Sequence, residues 1–139
     1  MKMGTFTTKL RVSNLYAPAR SQELELLVDT GAAYSWISRS RLEALGIVPI
    51  RRMRFRMIDG RIIERDLAAA SVTVDSYTGP DTIVMGDAGD LEVLGAHSIE
   101  GLGLAADPVQ HKLVPTIGLA LRAAQPSGTW LKEIKNRGD

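Results

Sequence analysis

The chain is 139 residues long, 45% hydrophobic, 24% charged and 5% aromatic, with a formal net charge of +1 and no cysteine. This composition suits a single soluble globular domain burying roughly two-thirds of its unfolded surface, and the missing cysteines exclude disulfide frameworks, thiolate zinc sites, iron-sulfur clusters and cysteine nucleophiles. The longest nearly uninterrupted apolar stretches, such as Leu113 to Leu121, fall short of the roughly 20 residues of a membrane span, and Met1-Lys2-Met3-Gly4-Thr5 lacks a signal-peptide apolar core. The expected setting is therefore cytoplasmic, with no membrane partner.

Phe6, Thr8, Leu10 and Val12 alternate with Thr7, Lys9 and Arg11, the period of a half-buried strand. A loop by composition follows, Tyr16 to Ser21, and then Leu24, Leu26 and Val28 alternate up to Asp29-Thr30-Gly31. These two strands are expected to form a hairpin. After Ser35-Trp36-Ile37-Ser38, the run Ser40-Arg41-Leu42-Glu43 has capping-box spacing, and Gly46 followed by Pro49 closes a helix of about two turns.

Arg52, Arg54 and Arg56 alternate with Met53, Phe55 and Met57, and Asp59-Gly60 offers a tight hairpin turn before Ile62 and Ile63. This predicts a projecting hairpin with one basic face. Val72 and Val74, a Ser76-to-Pro80 turn, Ile83 to Met85, a polar loop from Gly86 to Asp90, and Leu91 to Gly95 add short strands at barrel-like spacing. The regular part ends at Leu113-Val114-Pro115. Beyond Ala123 the composition is that of a linker, in which Trp130, Leu131 and Ile134 could dock one last helical turn.

Charge is unevenly spread. Eight arginines lie between Arg39 and Arg65, whereas the span from Asp66 to His111 has no Lys or Arg and carries Asp66, Asp75, Asp81, Asp87, Asp90, Glu92, Glu100 and Asp107. Two faces of opposite sign can pair within the fold or across a dimer; alternatively the arginines form a basic rim for acidic partners. Nucleic acid is not expected as a partner, because the net charge is near zero and a lone Phe55 among the arginines does not make a stacking platform.

The sharpest chemical feature is Leu26-Leu27-Val28-Asp29-Thr30-Gly31-Ala32, a carboxylate placed where an apolar strand ends. Taken alone, Asp-Thr-Gly also describes an ordinary Asx-type turn after a strand. A second carboxylate brought alongside such a group splits the pair into one ionised and one protonated member, a base and an acid.

In order along the chain, the apolar run into Asp29-Thr30-Gly31-Ala32, the Trp36-Ile37-Ser38 strand, the Met57-to-Ile63 hairpin and Val93-Leu94-Gly95 resemble the retropepsin-like aspartic proteases, the family of retroviral proteases and their relatives. Leu102 to Asp107 with Lys112 to Val114 resembles the family's closing strands, so the likeness covers about Thr5 to Pro115. It implies an all-β fold: a retropepsin-like closed β-barrel, the acid protease fold, with one or two short helices, over residues 1–122, followed by a C-terminal tail over 123–139. One Asp-Thr-Gly on so short a chain implies a homodimer, an aspartic endopeptidase whose two Asp29 side chains share the attacking water. By the same resemblance Thr30, Gly31 and Ala32 support the site, with Thr30 bonding across the dimer and Gly31 admitting substrate backbone. Ile58, Asp59, Gly60 and Arg61 form the flap tip, Gly95 is structural near the site, and the polypeptide substrate binds in extended form. Thr116 to Leu121 reads either as a terminal strand of the dimer interface or as a strand within the monomer.

Two departures stand out. The acidic residue that retroviral members carry soon after the motif, and the arginine that pairs with it after the later glycine, read here as Ala33 and Ala96, so neither charge is stranded. The flap tip is Ile58-Asp59-Gly60-Arg61 rather than glycine-rich. These changes motivate an alternative, a weak or inactive dimer that binds extended peptides. No cofactor or metal is implied: Gly101 to Ala106 fits a loose dinucleotide fingerprint, but Asp107-Pro108 forbids the helix it needs. His97 and His111 lack the spaced partners of a metal site or a triad.

Overall fold

A computed structural model of the chain describes residues 5–117, and over them the architecture is mostly β. The strands are β1 (Thr7–Ser13), β2 (Ser21–Val28), β3 (Ser35–Ser38), β4 (Pro49–Arg56), β5 (Ile62–Val74), β6 (Tyr77–Gly86), β7 (Val93–Leu94), β8 (Leu104–Asp107) and β9 (Lys112–Pro115). The two helices are short, α1 (Arg39–Ala44) and α2 (Ala96–Gly101). Neither is long or apolar enough to cross a membrane. The 123–139 tail, its docking residues and the segment Gly118 to Leu121 lie outside the described residues.

Alternation in sequence becomes alternation in burial. Leu10 and Val12 of β1 and Leu24, Leu26 and Val28 of β2 point into the core, while Lys9, Arg11, Glu23 and Glu25 face outward or lie half-covered. The two strands pair antiparallel from Thr7↔Leu27 to Ser13↔Ser21, the expected hairpin. One sheet runs in the order β1-β2-β7-β3-β6-β5-β4. Its far side returns to its start, because Arg11, Val12 and Ser13 of β1 also pair with Thr73, Val72 and Ser71 of β5. The strands thus follow one another in a ring whose interior holds Val12, Ile37, Ala70, Val72, Ile83, Met85 and Leu94. Among the described residues β4 pairs only with β5 and stands at the edge of the sheet. The β8–β9 hairpin forms a separate two-stranded sheet, anchored where the Phe6 ring stacks on His111 at 6.1 Å between centroids.

Several local features differ from expectation. Helix α1 is capped by Ser38, not Ser40, because Ser38 keeps the extended backbone of β3 and its hydroxyl accepts the Arg41 N–H. Its end is as expected, with Gly46 N–H bonding Glu43 O and Ile47 N–H bonding Leu42 O. The β5–β6 connection is two residues long, Asp75-Ser76, and Tyr77 to Pro80 belong to β6 opposite Val74 to Ser71. Asp75 takes the left-handed conformation there (φ 53°), which a short polar side chain tolerates. The β4–β5 hairpin closes through Met57 N–H to Arg61 O, with a three-residue loop in which Gly60 adopts φ 89°.

The basic and acidic spans pair largely within the chain. Arg39 of α1 bonds Asp66 of β5, which also holds Arg52 of β4; Arg52 in turn reaches Glu64 at 3.2 Å. Arg41 bonds Glu92. The best-shielded pair is Arg65 with Asp90, whose side chains are 16% and 21% exposed and meet through Nε at 2.8 Å and Nη2 at 3.2 Å. The Arg65 guanidinium, assisted by the Asp87 N–H, holds the Asp90 carboxyl below the usual aspartate range, and Arg39 does the same for Asp66. A carboxyl lowered in the folded state stabilises above its unfolded pKa and loses that contribution as pH falls through the folded value. The thermal midpoint of the protein should therefore drop on acidification below about pH 5. Asp90→Asn should lower the midpoint at neutral pH and flatten this acid limb, measured by thermal unfolding across pH.

Candidate active site

The short strand β7 decides the geometry around Asp29. It lies between β2 and β3, parallel to β2 through Leu27↔Val93 and Val28↔Leu94 and antiparallel to β3 at Trp36↔Val93. The segment from Asp29 to Tyr34 must therefore arch over the end of β7 to pass from one neighbour to the other. Each end of the arch is tied down: Asp29 N–H donates to Leu94 O at 3.0 Å, and Ala32 N–H donates to Asp29 O at 3.1 Å. The first amides of α2 complete it, Ala96 N–H to Ala32 O at 2.8 Å and His97 N–H to Ala33 O at 2.9 Å. Ala33 and Ala96, the two positions without the expected charge pair, thus meet the same loop-to-helix seam through backbone alone.

Gly95 is required by contact. A Cβ there would stand 2.4 Å from the Tyr34 carbonyl oxygen and 2.8 Å from that of Ala32. Its N–H donates to the buried Ser35 hydroxyl at 2.9 Å, which bonds the Ser98 hydroxyl, which in turn donates to Asp81. Burial pushes the Asp81 carboxyl up from its ordinary value, partly offset by the Ser98 and Thr82 hydrogen bonds.

On this arch the Asp29 side chain is exposed, as are Thr30 and Gly31, and Ala32 is half-covered. Asp29 Oδ1 accepts the Gly31 N–H at 3.0 Å, and a Cβ on residue 31 would lie 3.2 Å from the same oxygen. Glycine at 31 therefore leaves the carboxylate room to sit against its own backbone. The turn is of Asx type, the ordinary geometry of such a tripeptide, and what sets it apart is the frame of β7 and α2 beneath it.

The β4–β5 hairpin stands beside this loop. Its outer face carries exposed Arg52, Arg54 and Arg56, while Met53, Phe55 and Met57 are half-buried. Phe55 meets Trp36 at 5.2 Å and Tyr34 edge-on at 6.1 Å, and Tyr34 meets His97 at 5.1 Å. Tyr34 and Trp36 are thus neither deep core nor isolated surface groups, since they form the floor on which the hairpin's apolar face rests. At the tip Ile58, Asp59, Gly60 and Arg61 are all exposed. Asp59 accepts the Arg61 N–H at 3.0 Å and pairs with its guanidinium at 2.7 Å, and these bonds hold the Asp59 carboxyl below its ordinary value.

Asp29, Thr30, Gly31, Ala32 and Gly95 are therefore assembled in one place, and the tip lies at the end of a hairpin packed on the same loop. Sequence reasoning missed Ser35, Ser98 and Asp81, whose hydroxyls and carboxylate give no pattern along the chain. It also missed Arg51, although 51, 53, 55 and 57 share one parity. Among the described residues no group of three or more His, Cys, Asp or Glu is placed to hold a metal.

A family model for aspartyl proteases matches residues 19–102, which span β2 through α2 and so include the Asp29 arch, the hairpin and Gly95. The chain belongs to this family, in the retropepsin-like clan. No curated protein matches the chain. Gly95→Ala should collapse the arch because the clash is with backbone oxygens that cannot rotate away. A loss of at least about 3 kcal/mol in urea unfolding is expected, against a much smaller loss for Gly101→Ala, where a Cβ meets nothing within 4 Å.

Proposed function

We propose that this protein is a homodimeric aspartic endopeptidase, with its protease domain over residues 1–122 as a closed barrel and Asp29 as its catalytic residue. The observation that carries the reading is a solvent-facing Asp29 on an arch held from below by Leu94, Ala96 and His97 amides and carbonyls, in a family-matched chain with one Asp-Thr-Gly. A rigid, exposed carboxylate is a half-site, and a second copy supplies the other half. Thr30 reaches across to the partner and fixes the two aspartates.

In the dimer the two Asp29 carboxyls hold one proton and one water between them. The ionised carboxylate takes a proton from the water as its oxygen attacks the peptide carbonyl carbon, and the protonated carboxyl gives its proton to the carbonyl oxygen. The resulting gem-diol breaks down when the carboxyl that took the water's proton passes it to the amide nitrogen and the other carboxylate takes back one hydroxyl proton; the C–N bond cleaves to an amine and a carboxylic acid, and the pair again holds one proton. The hairpin tipped by Ile58 to Arg61 covers an extended peptide, whose backbone adds to the site as a strand.

The tip itself favours a second reading, a dimer that binds extended peptides and cuts them slowly. Gly60 N–H is committed to Met57 O and Arg61 N–H to Asp59, so two of the tip's amides are not free for substrate. Cleavage of a peptide library by wild type and Asp29→Asn, read as new termini by mass spectrometry, separates the two. The expected result is a loss of about a thousandfold or more in the variant, with activity rising steeper than linearly with protein concentration as dimers form. Peptide capture by both proteins without new termini would favour the binding form.

A further inference from the structure

A cavity of about 470 Å³ opens next to the Asp29 arch, and its lining includes Tyr34, His97, Arg51, Asp81 and Thr82. Its walls come from elements already placed at the site: Tyr34 ends the arch, His97 lies in the first turn of α2, and Arg51 shares the strand parity of Met53 and Phe55, on the face of β4 that rests on Tyr34 and Trp36. An extended chain lying beneath the hairpin would pass along this stripe and reach the cavity.

The charges in the cavity are not equivalent. Arg39, Arg41, Arg52, Arg61 and Arg65 each have a carboxylate partner, whereas Arg51, on the same strand as Arg52, has none among the described residues. Asp81, the carboxylate nearest in the lining, is already engaged through both oxygens, one by the Ser98 hydroxyl and the other by the Thr82 N–H. Its burial also favours the neutral form, which weakens its opposition to an incoming anion. A guanidinium offers five donors in a planar fork that fits a carboxylate in bidentate fashion. Arg54 and Arg56 also lack a carboxylate partner among the described residues, but they lie on the outer face of β4; Arg51 is the unpaired arginine whose parity is that of Met53 and Phe55, on the side of Tyr34 and Trp36.

We infer that this cavity is a substrate side-chain subsite that selects an acidic residue, with Arg51 as the specificity-determining cation. The inference rests on the protease reading for the identity of its ligand, an extended polypeptide, and adds to it the class of sequence that would be chosen.

A randomised peptide library digested by wild type, Arg51→Gln and Arg51→Glu tests it. At one position relative to the cut, wild type should enrich Glu or Asp over Gln or Asn by about tenfold; Arg51→Gln should bring that ratio to about one; and Arg51→Glu should turn the preference toward Lys and Arg. An acidic preference that survives Arg51→Glu, or the absence of one at every position in wild type, overturns the proposal. The same library is also captured on full-length Asp29→Asn protein and on its double variants with the two Arg51 substitutions. Acidic enrichment there that depends on Arg51, with no cleavage by wild type, would mean that the subsite stands and the protease reading fails. Capture indifferent to Arg51 overturns the subsite whether or not cleavage occurs. Thermal unfolding of the Arg51 variants, altered at an exposed position on an edge strand, checks that each is folded.

Discussion

Backbone passes against backbone where β7 ends and α2 begins, and the rest of the site hangs on that approach. Val93 and Leu94 are inserted between β2 and β3, so the chain that leaves β2 has to bridge them before it can begin β3. Only a residue without Cβ fits beneath the bridge, since the carbonyls of Tyr34 and Ala32 occupy the space. The bridge gains in return partners for several of its polar groups, from Leu94 O to the first amides of α2. A helix of six residues has little intrinsic stability; α2 persists because its early N–H groups and its buried Ile99 are satisfied by this seam. Asp29 is therefore positioned by backbone hydrogen bonds, its own and its neighbours', with one contact of its side chain, Oδ1 on the Gly31 amide.

The hairpin is governed by a different force. Its outer face is stitched to the body by a relay from Arg39 through Asp66 and Arg52 to Glu64, and β5 is further held by Arg65 on Asp90. Exposed pairs of this kind contribute little singly, about 0–1 kcal/mol each, but they share members and so share the cost of ordering. Toward the tip the relay ends: Arg54 and Arg56 have no partner among the described residues, and Arg61 reaches only Asp59 within the loop. The base of the hairpin is consequently tied down on both faces, by ions outside and by Phe55 on Trp36 and Tyr34 inside, while its exposed tip is held by bonds within the loop.

The parts legible in sequence are those written as local period or as compact motif. Strand alternation in β1, β2 and β4 translated directly into burial, and Asp29-Thr30-Gly31 with Val93-Leu94-Gly95 marked the two strands that come together at the site. The illegible parts are of two kinds. Turn boundaries were lost where a polar residue does a glycine's work, as Asp75 does at φ 53°, or where a strand end caps a helix, as Ser38 does. Contacts spanning 60 residues or more, such as Ser35 with Ser98 and with the Gly95 amide, leave no periodic trace. Arg51 belongs to neither kind: its parity was in the sequence, and only the bulge between Pro49 and Arg51 and the packing of Phe55 reveal that this parity faces the site.

One consequence of a half-site on each chain concerns assembly itself. In the proposed dimer two carboxylates approach each other, and two like charges at close range resist association unless a proton is shared between them. Proton uptake and dimerisation are then linked: whatever favours the singly protonated pair favours the dimer, and by reciprocity the dimer favours the proton. The single chain escapes this cost, because its Asp29 faces water and leans only on the Gly31 amide. In the proposed reading a single chain carries Asp29 exposed without its second carboxylate, and the same exposure leaves that surface open to a partner chain. In the proposed dimer, control of cleavage would accordingly reside in concentration and acidity before it resides in the hairpin, which would cover a site only after two chains had completed it.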